Sequence, residues 1–539
     1  MKLIEDISAD KLRGGYYTSA RLVAACYGRI AELIGRRSKV RILEPSAGDG
    51  AFARFMPKGM PWSRRDTRFK CIEILGPEAS KCSATLADAK VEGDVEIDSF
   101  FSWARRCDET FNVILGNPPF VRYQFVPPEV RADADFVLDA LGMGIDGVAN
   151  LWIPFVLVAL SRLELGGAFA IVLPAELFSI KSAGLVRQNL ISHFEQLTLD
   201  LYPRDSFPEI LQDVIVVSGR RATKATERQV TIVDHSGGNG RQWCHSIPCS
   251  RDSWTLFLLT NTERQAYDWV RQREYVESMG TVATLGVSIV TGANDYFTVG
   301  NDILAEFDLR KWARPLMSKT VDCPGLVYTH ADHGRTTASG RKAWLLDFGS
   351  DKPDPRAFAG PARYIRLGEE QKLQTRFKCR IREPWFRVPG IVFGRLMLTK
   401  RSHQHHRLLI NEAGVFTTDT VYRGDMKPRF SQQMNDLVAS FHNSATLLSA
   451  EIEGRNYGGG VLELVPSEIQ RVMVPMVALG KRLRELDKVC RANGGQLDKN
   501  DNLIEATNDL LLAAKPELGD VFPVLECARQ RLRLWRFER

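Results

Sequence analysis

The chain has 539 residues, of which 44% are apolar and 25% charged, and it carries a net charge of +7. That length gives room for two or three domains and a large core, and the composition is ordinary for a soluble globular protein. The opening MKLIEDISADK lacks an apolar leader, and the longest apolar run, Leu151–Leu160, is far shorter than the roughly 20 residues of a membrane span, so no membrane partner is expected.

Ten cysteines without paired spacing read as reduced thiols, and a cytoplasmic location is expected. Cys244-His245 and Cys249 lack the second pair that would complete a metal site, so no metal is expected. The positive charge is concentrated. Residues 363–407 hold twelve Lys/Arg against three Glu, which leaves the rest of the chain slightly acidic. A single basic patch is how a polyanion footprint looks in sequence.

In chain order, a polar lead with Gly14, Gly15, Tyr16 and Tyr17 precedes an amphipathic helix from about Ala20, for which Thr18 or Ser19 is the natural N-cap. A strand over Val40–Leu43 then runs into Glu44-Pro45-Ser46-Ala47-Gly48-Asp49-Gly50. Gly48 and Gly50 allow the tight turn and close ligand approach of a first βα loop, and the spacing alone fits NAD as well as other nucleotides. A second strand, Arg68–Ile74, carries Glu73 at its tip, where an acid can accept both hydroxyls of a ribose. A helix over about Pro77–Ala87 and a third strand over Val91–Ile97 lead to Asp98-Ser99-Phe100-Phe101.

The fourth strand, in FNVILGNPPF, stops at Gly116 and leaves Asn117, Pro118, Pro119 and Phe120 on a stiff turn. Two prolines fix φ and donate no N–H, so carbonyl and amide oxygens remain as acceptors beside the flat face of Phe120. Such a turn suits a planar ring bearing an exocyclic NH2. Strand tips in such sheets share one edge, so Glu44, Glu73, Asp98 and Asn117 are expected around one crevice.

Farther on, Asn150–Arg162 reads as a helix, Gly166-Gly167 as a turn into the strand Ala168–Leu173, and Lys181–Phe194 as a helix. Strands near Leu197–Leu201 and Val214–Ser218 flank a loop carrying Phe207. Leu285–Val299 reads as two strands about a Gly292-Ala293-Asn294 turn. The basic patch follows, with Phe377, Trp385, Phe386 and Phe393 interleaved among Arg376, Lys378, Arg380, Arg382, Arg387 and Arg395. These cations suit phosphate contact, whereas His403, His405 and His406 lack metal-ligand partners of the right spacing and suit a surface position or phosphate contact. A glycine turn and strand in EGRNYGGGVLELV precede a mainly helical end, for which Ser467 and Gln470 suggest a capping box.

The series GGYYTSARLVA, ILEPSAGDGAF, an acid after the second strand, DSFFSW and ILGNPPF resembles the amino-group DNA methyltransferases. More narrowly, it is similar to the gamma-class adenine-N6 enzymes of type II restriction–modification systems. The resemblance covers about Arg13–Ser218, and TGANDYF and GRNYGGGVLEL are similar to stretches in the recognition domains of one branch. It implies an α/β chain: a Rossmann-like sheet with helices on both faces at about 1–225 as catalytic domain, and a connecting region at 226–284. A mixed α+β target-recognition domain at 285–475 and a helical segment at 476–539 would follow.

It also implies S-adenosylmethionine as cofactor, with Thr18 by its methionine end and Glu44, Pro45, Ser46, Ala47, Gly48 and Gly50 lining it. Glu73 would hold its ribose, Asp98 its adenine amino group, and Phe100 would pack on that base. Asn117, Pro118, Pro119 and Phe120 would hold a target adenine flipped from double-stranded DNA, with Phe207 on its other face. A cognate restriction endonuclease acting separately is the implied partner. Many relatives carry Tyr where this chain has Phe120, and Ser99 here separates Asp98 from the aromatic pair. Methylation of an RNA base or a protein glutamine uses a similar Asn-Pro-Pro-aromatic turn and stays open beside this reading. A nicotinamide oxidoreductase would explain neither that turn nor the basic patch. Pro248-Cys249 lies outside the catalytic stretch that a cytosine-C5 nucleophile would require.

Overall fold

The computed structural model describes residues 18–144, 147–202, 214–224, 229–236, 240–246, 253–457, 460–492 and 501–537. Gly14–Tyr17, Phe207 and Pro248-Cys249 lie outside the described residues. The chain divides into two compact units, one running to Asn261 and the other over Thr262–Phe537.

The first unit is built on one nine-stranded sheet. Its strands are β1 (Val40–Glu44), β2 (Thr67–Glu73), β3 (Glu92–Ile97), β4 (Phe111–Gly116), β5 (Leu163–Pro174), β6 (Phe194–Leu201), β7 (Val214–Arg221), β8 (Gln229–Asp234) and β9 (Arg241–Ser246), in the order β3-β2-β1-β4-β5-β7-β6-β8-β9. Strands β1 to β5 are mutually parallel, whereas β7 runs antiparallel to both β5 and β6. This is a Rossmann-like α/β architecture. The central strands read as unbroken apolar runs because helices cover both faces, and Ile42, Val113 and Leu115 are fully buried. Strand β3 is an edge and is mostly exposed. Its acids Asp94 and Glu96 take Lys70 of β2 at 2.5 and 2.7 Å, which covers the edge with charge.

Helix α1 (Ala20–Ile34) is capped by Ser19, whose hydroxyl accepts the Leu22 N–H, and buries Leu22, Val23, Cys26, Tyr27 and Ile30. Arg29 on this helix and His235 after β8 both reach Asp200 near the end of β6, and Tyr202 stacks on the His235 ring at 4.4 Å. The Arg29 guanidinium and the His235 ring hold the buried Asp200 carboxyl below the usual range, against the opposing effect of desolvation.

Two local expectations change. The Gly166-Gly167 pair is not a turn ahead of β5 but an irregularity inside it. Gly166 sits at φ +73°, and pairing with β4 jumps from Leu163 opposite Phe111 to Ala168 opposite Val113. Strands β8 and β9 fall in the stretch read as a connection, yet they extend the same sheet, β8 parallel to β6.

Among the described residues the second unit holds four smaller sheets and a set of helices. Its largest sheet orders Ala283–Gly286, Val421–Met426, Leu396–Thr399, Leu408–Asn411 and Val327–Tyr328. The expected hairpin over Leu285–Val299 is absent. The strand Ala283–Gly286 gives way to a turn in which the Thr291 hydroxyl donates to Asn294 Oδ1 at 2.5 Å, followed by the short helix Asn294–Phe297. Short polar side chains compete with ladder pairing in this way. Ser467 is not a cap either: the helix Pro466–Ile469 starts one residue earlier, and Glu468 accepts the Val465 N–H at 2.9 Å. The helix Phe522–Phe537 carries Arg536, whose guanidinium pairs with the buried Glu451 at 2.8 and 3.1 Å and also donates to the carbonyls of His403, Gln404 and Gly460. Among the described residues no helix is long and apolar enough to cross a membrane.

Candidate active site

The carboxyl ends of β1, β2, β3 and β4 lie side by side in the first unit, and the loops leaving them are tied to one another. After β1, Gly48 (φ +53°) and Gly50 (φ +81°) take left-handed conformations that side chains disfavour. A Cβ on Gly50 would lie 3.2 Å from Cys82 and Thr85 of the helix Gly76–Ala89, so any other residue there would be crowded as well as strained. Glu73, at the tip of β2, accepts the Gly48 N–H at 2.8 Å and the Leu75 N–H at 3.0 Å. The Asp98 N–H donates in turn to the Glu73 carbonyl at 3.1 Å. Asp98 accepts the Ser99 N–H at 2.7 Å and pairs with Arg106.

The Asn-Pro-Pro-Phe turn closes on the same loop. Pro45 packs at Gly116, and the Ser46 hydroxyl donates to the Asn117 carbonyl at 3.1 Å. That backbone oxygen is therefore engaged, where the sequence suggested a free acceptor. The Asn117 amide nitrogen donates to the Thr18 hydroxyl at 3.4 Å. Its Oδ1 is buried without any hydrogen-bond partner. A buried amide oxygen left unpaired costs roughly 1–3 kcal/mol, so this atom is poised for a donor that arrives from outside. Pro118 is buried, Pro119 and Phe120 are half-buried, and Phe120 packs partly against the core of the unit.

Thus Thr18, Pro45, Ser46 and Asn117 form one connected group and Gly48, Glu73 and Asp98 another, joined through the loop itself. Ala47, in that loop, is 4% exposed, and its N–H donates to the Ile72 carbonyl at 3.0 Å. Two residues sit differently from expectation. Phe100 is 4% exposed, with its ring 4.7 Å from that of Phe155, so it belongs to an interior aromatic cluster rather than to an open ligand face. The apolar groups uncovered at these strand tips are Ile74 (57% exposed) and Ile97 (62%), which sequence reasoning missed. The signal was available: each is an apolar residue next to the acid at its strand end.

Glu44 is also not on the surface of the crevice. It is 1% exposed beneath the loop, and the Cys71 thiol donates to it at 3.9 Å. Burial first, and then the neighbouring Cys82, Asp49 and Glu73, push its carboxyl well above the ordinary range. The unfolded chain loses this proton near pH 4.3, whereas the folded chain keeps it to higher pH, so this group weakens stability as pH rises through that window. Glu44→Gln should therefore lose less melting temperature than the parent between about pH 5 and pH 8. Equal slopes for the two proteins would show that Glu44 is already ionised in the fold.

The donor set fits S-adenosylmethionine. Paired strand-tip acids, an uncovered isoleucine beside each and a glycine loop could hold an adenosine moiety.

The basic patch lies in the second unit. Arg376, Lys378 and Arg380 are exposed, and among the described residues none of them forms an ion pair. Arg382 instead donates to the carbonyls of Thr291 and Val290 at 2.7 and 2.8 Å. Arg395 pairs with Asp425 at 2.5 Å, and Arg387 is half-buried. Trp385 (7% exposed) and Phe386 (1%) are core residues. His405 and His406 are buried as well, with burial lowering the affinity of both rings for a proton, so neither is a surface phosphate contact.

Comparison with known proteins bears on both units. Residues 251–511 match the family described as the C-terminal domain of type II methyltransferase M.Eco57I. The type II methyltransferase M.AccI of Acinetobacter calcoaceticus is 19% identical over 469 residues, 83% of each chain. The structure of the type IIL restriction–modification enzyme MmeI in complex with DNA is similar at a TM-score of 0.50 and 13% identity, over 98% of this chain and 72% of that one. The type IIG restriction endonuclease BpuSI is similar at a TM-score of 0.45 and 15% identity, and this chain spans 66% of its length. The chain is thus similar in sequence to type II methyltransferases, over residues 251–511 to the C-terminal domain of one family and over most of its length to M.AccI.

Proposed function

We propose that the chain is a site-specific DNA methyltransferase that transfers a methyl group from S-adenosylmethionine to the N6 amino group of an adenine flipped out of double-stranded DNA. The observation that carries this reading is the buried, unpartnered Oδ1 of Asn117 on a proline-stiffened turn, tied through Ser46 to the glycine loop.

An adenine amino group is a poor nucleophile because its lone pair is delocalised into the ring. Asn117 Oδ1 accepts one of its N–H bonds and the Pro118 carbonyl the other, which favours a more tetrahedral nitrogen with an available lone pair. The Thr18 hydroxyl, by engaging the amide nitrogen of Asn117, fixes which end of the amide faces the base. S-adenosylmethionine, when bound, supplies an electrophilic sulfonium methyl and a good leaving group. The methylated nitrogen, a very weak base, gives up its surplus proton to water once the thioether has left, so the chain needs no strong base and its contribution is orientation. Glu73 and Asp98 would hold the ribose and adenine of the cofactor, with Ile74 and Ile97 exposed beside them, and Phe120 would stack on the extruded base. Stacking of roughly 1–3 kcal/mol per base offsets part of the cost of flipping. The cations of the second unit, Arg376, Lys378 and Arg380 foremost, seat the phosphate backbone. M.AccI and MmeI, related in sequence or fold, support a role in modification beside a restriction activity.

The purified chain, incubated with plasmid DNA and S-adenosylmethionine, should yield N6-methyl-2′-deoxyadenosine in a nucleoside digest resolved by mass spectrometry. Methyl groups recovered on cytosine would reassign the base. Methyl groups recovered on RNA or protein, with none on DNA, would sink the reading.

A further inference from the structure

The turn Arg376–Arg382 places large apolar side chains where apolar side chains are least stable. Phe377 is 62% exposed and Ile381 66%. They stand four residues apart across the short helix Phe377–Arg380, hence on one face. Around them, Arg376, Lys378 and Arg380 point charge into solvent, and the Lys378 and Arg380 cations each lie 5.5 Å from the centre of the Phe377 ring.

This protrusion is rigidly mounted. Cys379, on the opposite face, is fully buried in the core that includes Tyr296, Phe297, Trp385 and Phe386. Gly292, at φ +79°, passes so close that a Cβ there would stand 2.7 Å from Lys378 Cβ. Arg382 then ties the turn to the carbonyls of Val290 and Thr291. Val290 itself is 38% exposed. The segment is thus not a floppy loop with stray apolar groups, but a stiff support that holds two of them out.

Charge decides what such a feature fits. Residues 376–395 carry six Lys/Arg against the single Glu383, so an approaching partner is a polyanion that must also accept an apolar side chain. Duplex DNA meets both conditions, because phosphates flank a stack whose steps can be opened by Phe, Leu or Ile.

We propose that Phe377 and Ile381 form an apolar wedge that enters a base step of duplex DNA, with Arg376, Lys378 and Arg380 on the flanking phosphates. This rests on the reading of the chain as a DNA-acting enzyme. Insertion lengthens and unwinds the step it enters, a distortion that phosphate contacts alone do not require.

The test is relaxation of closed-circular plasmid by topoisomerase I in the presence of the full-length chain, with binding measured in parallel on the same DNA. The parent should shift the topoisomers towards negative linking difference. The F377A/I381A double variant should abolish that shift while keeping the salt slope of binding. R376A/K378A/R380A should bind more weakly, with a slope shallower by about 2–3, since each phosphate contact contributes about 0.9. Both variants alter exposed side chains, and unchanged melting curves would confirm that they fold. Binding without any topoisomer shift by the parent, or a shift that survives F377A/I381A, overturns the wedge and leaves the DNA reading standing. Failure of the parent to bind plasmid at all counts against the DNA reading itself. Loss of self-association in F377A/I381A without DNA would assign the face to a second copy of the chain and also overturn the wedge.

Discussion

Asn117→Ala should reduce methyl transfer by at least on the order of 10²–10³-fold, the scale of losing one preorganised hydrogen-bonding group at a reacting centre. S-adenosylmethionine affinity, read by calorimetry, should change by less than about 1 kcal/mol, because the contacts that define the cofactor loop run through Gly48, Glu73 and Asp98 rather than through the Asn117 side chain. Removing Oδ1 also removes an unpaired buried acceptor, so the variant should be no less stable than the parent. Asn117→Asp keeps an acceptor but gives up the donor to Thr18, and should fall between the two in rate. Near-normal turnover in the alanine variant would take this amide out of the chemistry.

Arg536→Met should destabilise the second unit by roughly 3–5 kcal/mol, among the largest effects of any single substitution in the chain. The guanidinium is buried, satisfies both oxygens of Glu451 and donates to three carbonyls, so its loss strands a buried carboxylate together with those acceptors. The companion change Glu451→Leu in the same chain should recover part of the loss, since a buried pair replaced by apolar groups is far cheaper than a broken one. Chemical denaturation followed by tryptophan fluorescence gives both numbers. A drop below about 1 kcal/mol for the single variant would mean that water reaches Glu451.

The first unit was the more legible of the two, for a physical reason. Parallel strands buried on both faces leave unbroken apolar runs, and the loops after them carry glycines and acids at their tips, so β1 to β4 and their loops could be located within one or two residues. Burial of the side chains in those loops was not legible. Glu44 and Phe100 stand in positions where sequence suggests ligand contact, yet one lies beneath the loop and the other inside an aromatic cluster. Ile74 and Ile97 went unnoticed because an apolar residue at a strand end looks like the last residue of a core. In the second unit, composition was a poor guide to exposure. His405, His406, Arg407, Trp385 and Phe386 all fall in the basic stretch and are all buried, while Phe377 and Ile381 beside them are open. Short elements joined by polar turns leave no periodicity from which to tell the two apart.

The order of the central sheet also bears on how the chain emerges from a ribosome. Strand β6 lies between β7 and β8, and β7 is the partner that joins it to β5. A nascent chain that has reached Leu201 but not Arg221 therefore leaves β5 open on one side and β6 open on both. Pauses in translation within that interval would leave these edges available to neighbouring chains. Slowing synthesis there with rare codons should lower the soluble yield more than slowing it at any comparable stretch before β5.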